Sequence, residues 1–353
     1  STTTGNDNTS NITQTGDGQT ADVTQNGDDN TSDVDQSNLD NTATVDQDDL
    51  NESTVDQSGD DNIADVNQAG NPSPPENTQN ISTISQSGDG NMATVDQDDR
   101  NISNVDQSGD GNTANVDQTG FVGFDDNDSD VQQSGNDNTA NVAQNGDQNT
   151  SLVNQEGDLN TASVDQSGTN NDSVINQFGD SNSADVTQSG TDNVSDVEQD
   201  LENTATVDQS GERNNSDVNQ TGPSGANGNT AGVTQSGNDN VATVNQDGGV
   251  TPNGISIDNM ATIDQSGDWN VATVSQDDFN EATVTQTGLG TALDPNTVTV
   301  TQYDNDDVAT AEQNGGEGNV ITIDQDMNCG SGCGTFNNAT AIQTGTFNTT
   351  TIT

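Results

Sequence analysis

Along the whole chain a short word recurs, Asn-x-(Ala/Ser)-x-(Val/Ile)-x-Gln, in which the distinctive residues fall at every second position. A period of two is the period of a β-strand, so Asn, Ala or Ser, Val or Ile, and Gln share one face. The residues between them, mostly Thr, Asp and Asn, point to solvent. A run such as Ser-Gly-Asp-Gly or Ser-Gly-Asp-Asp follows the Gln, and Gly and Asn tolerate the positive φ that a turn needs. Each copy predicts one strand and one turn.

Anchored on its last residue, the word occurs 28 times, usually 11 residues apart, and a truncated copy runs from Asn348 to Thr353. The first sixteen anchors are Gln14, Gln25, Gln36, Gln47, Gln57, Gln68, Gln86, Gln97, Gln107, Gln118, Gln133, Gln144, Gln155, Gln166, Gln177 and Gln188. Val or Ile stands two places before the anchor in 26 of the 28 copies, Ala311 and Ala341 being the exceptions. The position four before the anchor alternates: Ser10, Ala21, Ser32, Ala43 and onward without a break to Ala231. Two kinds of strand therefore alternate, and the structural unit is about 22 residues, one coil with two strands. The predicted fold is all-β: a two-sheet parallel β-solenoid of about 14 coils, spanning residues 1–353 as one domain with an amyloid-like cross-β core.

Burying one valine cannot offset the entropy of ordering an eleven-residue repeat, so a single unit is not stable alone. The expected remainder comes from ladder hydrogen bonds and from side-chain amides stacked coil on coil. For the asparagines the stacking residues are Asn30, Asn41, Asn62, Asn91, Asn112 and Asn138. No terminal helix or Lys/Pro-rich cap is seen, and uncovered strand edges template further chains, so end-to-end polymerisation is expected.

Departures from the repeat are local. Four turns are one residue short and lack Gly: Asp48–Leu50, Asp98–Arg100, Asp200–Glu202 and Asp277–Phe279. Insertions fall near 71–79, 121–126, 222–228, 248–258, 289–295 and 326–336, and they hold or adjoin the prolines, which cannot donate to a ladder. They read as surface loops. The sharper reading gives Phe121 and Phe124 lateral or adhesive contacts.

Composition alone would suggest disorder: 24% hydrophobic residues, 2% aromatic and a formal net charge of −58. The repeat overrides it. Arg100 and Arg213 face 60 acidic residues, which excludes nucleic acid as a partner and disfavours an anionic membrane. No apolar run is long enough for a transmembrane segment. No signal peptide stands at Ser1, and the expectation is a mature, secreted chain from which one was removed. Cys329 and Cys333, in Cys-Gly-Ser-Gly-Cys, are expected to form a local disulfide in an oxidising compartment.

No catalytic residues can be assigned. There is no His, and carboxylates spaced by the repeat predict a solvated surface instead of a paired acid and base. No cofactor is expected beyond diffuse cations, Ca2+ or Na+. Asp126, Asp128 and Asp130 are weak metal candidates, since the run around them has neither the Gly nor the distal Glu of an EF-hand loop. Coils one repeat apart should place Asp35 beside Asp56 and Asp96 beside Asp117, where like charges repel by about 1 kcal/mol per pair. Fibre growth is then expected to need cations or mild acid.

Gln86-Ser-Gly88-Asp-Gly-Asn91-Met-Ala93-Thr-Val-Asp-Gln97 resembles the curlin repeat, the unit of bacterial curli fibres, and the resemblance runs along essentially the whole chain. This chain differs in having Asn six before the anchor in both strands, and in its many repeats. The resemblance implies the structural subunit of an extracellular functional amyloid of biofilm matrix and cell adhesion. It makes ladder positions of residues such as Gln86, Gln97, Asn91 and Asn112. By the same resemblance the partners are further copies of the chain, a nucleator subunit and a secretion pore. Two rivals remain at this stage. One is a calcium-dependent monomeric adhesin segment. The other is an ice-binding solenoid, suggested by Thr42-Ala-Thr44 and Thr204-Ala-Thr206.

Overall fold

The computed structural model describes residues 1–70, 79–120, 127–222, 228–248, 258–277, 279–303, 306–325 and 337–353. Among them every regular element is a strand, from Thr2–Thr4 to Thr349–Ile352, and there is no helix. Most strands open directly after the Asn of the word and run to its Gln or just past it, so the period-two pattern sets where pairing begins. The chain divides into two compact units, Ser1–Ile175 and Asn176–Thr353. In each unit alternate strands pair in parallel, giving two sheets, and the solenoid counts about 13 turns against the 14 expected.

Register is set by the word itself. In the first unit Thr42–Gln47 pairs with Ile63–Ala69 so that Ala43 meets Ala64, Val45 meets Val66 and Gln47 meets Gln68. In its other sheet Ser32, Val34 and Gln36 meet Ser53, Val55 and Gln57. The second unit repeats this, with Ala205, Val207 and Gln209 opposite Ala231, Val233 and Gln235. A slip of one residue would turn each Val outward, so one buried face enforces the register.

The core is one residue deep on each sheet. Val34, Val105, Val131, Val153 and Ile84 are fully buried, as are Ala93, Ala114 and Ala140. The serine column differs from the alanine column in one respect. The hydroxyls of Ser32, Ser53, Ser82, Ser103, Ser129 and Ser151 are buried without a hydrogen-bond partner. Further along, the same column turns to Ala242, Ala272, Val298 and Ile321, all fully buried, which shows that it does not require a hydroxyl.

The glycine two residues after Gln supplies positive φ at many turns, as at Gly16 (φ 122°), Gly146 (φ 132°), Gly190 (φ 120°) and Gly237 (φ 122°). Gly88, Gly109 and Gly135 do not use it; they are needed because backbones stack too closely. A Cβ on Gly109 would lie 1.8 Å from the carbonyl oxygen of Gly135. A further left-handed step falls on the residue just before the strand-opening Asn, and that residue is often not Gly. Asp29 (φ 61°), Asp61 (φ 57°) and Leu159 (φ 61°) all adopt it. The short turns keep the same last step at Leu50 (φ 64°), Glu202 (φ 56°) and Phe279 (φ 60°). Losing one residue therefore leaves the exit from the turn unchanged.

Two substitutions should then move stability in opposite directions. Gly109→Ala forces a methyl into a backbone carbonyl and should destabilise by on the order of 1–3 kcal/mol. Ser103→Ala removes a buried unpaired hydroxyl and should be neutral or stabilising by about 1 kcal/mol. Denaturant titration measures both. A clear loss of stability in Ser103→Ala would mean that the hydroxyl has a partner.

Candidate functional site: the amide ladders

The functional feature of this molecule is a set of columns, not a cleft. In the first unit each Gln donates from Nε2 to Oε1 of the Gln one coil on, at 2.7–3.1 Å. One column runs Gln14, Gln36, Gln57, Gln86, Gln107, Gln133, Gln155. The other runs Gln25, Gln47, Gln68, Gln97, Gln118, Gln144, Gln166. Apart from Gln14, which is exposed, these side chains are buried. Gln177 and Gln188 begin the equivalent columns of the second unit, donating to Gln199 and Gln209 at 2.9 and 2.8 Å.

The second proton of the buried amides is also used. Gln118 Nε2 donates to the carbonyl of Ile102 at 2.9 Å, and Gln107 Nε2 to that of Met92 at 3.1 Å, in both cases across the core to the opposite sheet. Each glutamine thus holds its neighbour in the stack and the facing sheet of its own coil. That accounts for a fully buried amide in a chain with little apolar surface.

The asparagines form a second set of columns with the opposite polarity. Asn62, Asn91 and Asn112 donate their backbone N–H back to Oδ1 of Asn41, Asn62 and Asn91, each at 2.8 Å. Their side-chain amides donate forward, to the turn carbonyls of Gly88, Gly109 and Gly135 at 2.7 Å. Asn138 does the same with Asn112 and Gly157. On the other sheet the turn carbonyls are used as well, by Asn127 to Gly146 and Asn240 to Gly267, and amide-to-amide bonds are added: Asn30 Nδ2 donates to Asn8 Oδ1, and Asn80 Nδ2 to Asn51 Oδ1. One column takes the carboxylate Asp307 in place of Asn. It is fully buried, and its Oδ1 accepts the backbone N–H of Asn337 at 3.0 Å. Aligning the word six residues before Gln313 would have exposed this substitution.

The acidic residues do more than face water. At one turn the carboxylates of Asp89, Asp110 and Asp158 accept the backbone N–H of Asp60, Asp89 and Asn136 at 2.8, 2.9 and 2.8 Å. This turn ladder was not foreseen, although Asp at a fixed offset after each Gly was its sequence signal. On the strands Asp35 pairs in register with Asp56, and Asp96 with Asp117. Partial burial, with Asp35 adjacent, raises the Asp56 carboxyl above its usual range. Asp117 is raised by burial and by Asp96 and Asp98, and Asp46 by burial and by Asp48, Asp22 and Asp65.

Of the metal candidates, Asp126 lies outside the described residues, as do Cys329 and Cys333. Asp128 and Asp130 stand on the outer face of the strand Asp128–Gln133. Asp130 accepts from the amides of Asn104 and Gln132 at 3.0 and 2.9 Å, and burial together with Asp130 raises Asp128. Among the described residues no group of three or more His, Cys, Asp or Glu is placed to hold a metal ion. Arg213 pairs with Asp239 through the Nε and Nη2 edge of its guanidinium, at 2.7 and 2.8 Å, on the exposed surface.

Gln118→Leu should strand the Nε2 proton of Gln97, the Oε1 of Gln144 and the carbonyl of Ile102. Buried unsatisfied groups cost about 1–3 kcal/mol each, so a loss on the order of 3 kcal/mol or more is expected in denaturant melts. A loss below about 1 kcal/mol would show that the ladder does not hold the coils. The raised carboxyls give a second test. A carboxyl whose folded pKa exceeds its unfolded value penalises the folded state when charged, and protonation relieves the penalty. The melting temperature at fixed ionic strength should therefore rise as pH falls from neutral toward the unfolded carboxyl value near 4, and level off below it. A flat or falling trend over that interval would exclude this account.

The curlin associated repeat matches this chain at residues 5–37, 40–70, 135–168, 157–190, 168–200 and 258–288. No curated protein matches it. Between the matched stretches the described coils carry the same word and ladder, as at Gln86, Gln97, Gln107 and Gln118. The matches, which together cover just under half of the chain, and the two-sheet solenoid point the same way: the chain carries curlin associated repeats.

Proposed function

We propose that the chain is the structural subunit of an extracellular, curli-like amyloid fibre, growing end to end by adding copies of itself in a biofilm matrix or on a cell surface. Curlin associated repeats recur along the chain, and the two parallel sheets that they build form a structural architecture.

The observation that carries the reading is the polarity of the ladders. A plane drawn between any two coils of a unit leaves glutamine Nε2 donors and asparagine Oδ1 acceptors on one side. On the other side stand glutamine Oε1 acceptors and asparagine N–H donors. The two surfaces are complementary at every layer, so a head-to-tail contact between copies can repeat the bonds within one copy. Such a heterologous contact does not close on itself and builds an open filament. Parallel in-register stacking at about 4.8 Å is also the geometry of cross-β assemblies. The acidic columns oppose this growth between equal charges, and salt or mild acid should favour it.

Electron microscopy and fibre diffraction of the purified chain test the proposal. Unbranched filaments with a meridional spacing near 4.8 Å are expected, growing faster from added seeds and faster as salt rises. A soluble monomer that folds only on addition of Ca2+ and is not seeded would replace the fibre reading with that of a calcium-dependent adhesin segment.

A further inference from the structure

The outward faces of the sheets are not equally charged. In the second unit the strands Val241–Asp247, Asn270–Asp277, Asn296–Gln302 and Val320–Gln325 lie side by side in register. Their middle outward column is Thr243, Thr273, Thr299 and Thr322, four threonines in a row. The column beside it holds Val241, Val271 and Val320, with Thr297 between the last two. The third column runs Asn, Ser, Thr and ends at Asp324, the single carboxylate among these outward positions. A shallow groove edged by Ser275 and Tyr303 runs past its end; Asp247 and Asp277 stand beyond the strand-ending glutamines, and Asp217 borders Thr243 on the preceding strand.

The rest of the surface differs. On the preceding strands of the same sheet the outward residues include Asp196, Glu198 and Asp217. Across the core in the same region they include Asp264, Glu281 and Glu312. In a chain with 60 acidic residues, a flat face of Thr and Val over four strands needs a reason. Two copies approaching through the preceding strands or the opposite sheet of this region bring several carboxylates together, whereas through this face only Asp324 is carried.

We propose that this face seats the same face of a second copy, pairing fibres side by side. The inference rests on the fibre reading. β-branched columns on a pleated sheet interdigitate as a dry sheet-to-sheet contact, and a two-fold axis makes one patch complementary to itself. Size decides when pairing occurs. Four strands about 4.8 Å apart, each offering three outward residues, cover roughly 300–400 Å², whereas a stable interface buries about 800 Å² per partner. Single chains therefore stay unpaired through this face. A fibre presents the patch once per subunit, and the contacts add.

The test compares filaments of the wild type, of Thr273→Asp/Thr299→Asp, and of a control with the same added charge on the opposite sheet, Thr283→Asp/Thr310→Asp, all grown at one low salt concentration. Wild-type and control filaments should be paired and about twice the width of a single filament, while the Thr273→Asp/Thr299→Asp filaments should be single, with unchanged circular dichroism. Pairing that survives in that variant, or is lost equally in the control, overturns the inference. Wild-type filaments that are only ever single overturn it while leaving the fibre reading in place. The absence of any filament removes both. Inhibition of ice recrystallisation by the monomer, abolished by the Thr273→Asp/Thr299→Asp pair, would assign the face to ice instead.

Discussion

A side-chain amide buried in a protein with little apolar surface must find partners for two donor protons and an acceptor oxygen, and here the partner for most of these is the same residue one layer away. Gln118 shows the whole arrangement: it accepts from Gln97, donates to Gln144, and spends its remaining proton on the carbonyl of Ile102. The bonds are made only if layers repeat at strand spacing and in register. The parallel pairing, the thin core of Val and Ala, and the close glycine contacts follow from that requirement. Chemistry that would leave a globular protein of this composition unfolded becomes stabilising once each coil has a neighbour.

The same requirement explains what varies and what does not. Ala311 replaces the usual Val and stays fully buried, and a serine column gives way to Ala, Val and Ile. Changes in apolar volume are absorbed within a coil. Replacing Asn by Asp at 307 is a different matter, because a carboxylate can accept but cannot give the forward bond that Asn112 gives to Gly135. The carboxylates at the turns, by contrast, use only their acceptor capacity on backbone N–H groups, so Asp suffices there. Asp307 apart, a column that needs a donor is built of amides, while one that needs only an acceptor can be charged.

The strands, their pairing in two parallel sheets and the inward face could all be read from the sequence. Period-two spacing and the Ser/Ala alternation depend on local geometry alone. Less was legible where a residue acts on the next coil. The glycine in Gln107-Ser108-Gly109 looks like a turn residue in one dimension, and only stacking shows that a Cβ would strike Gly135. Left-handed φ at Leu159 runs against the residue's own preference and is imposed by the turn's exit into Asn160. Nor does the word show that an asparagine amide can reach both a turn carbonyl of the next coil and the amide oxygen of the coil before, as at Asn127.

Charge remains the counterweight to the ladders. Each layer that adds amide bonds also brings carboxylates about 4.8 Å from those of the layer before, and the carboxyls of Asp46, Asp56 and Asp117, raised first by burial and then by neighbouring charge, carry part of that cost. A stack of this kind gains cohesion through its interior and accumulates repulsion on its outside, both in proportion to length. The interior term is short-ranged and unaffected by salt; the exterior term is screened within about 10 Å at moderate ionic strength. Solution conditions can therefore tune growth without altering a single ladder bond. The Thr and Val face, with Asp324 as its one outward carboxylate, is where the outside opposes the inside least.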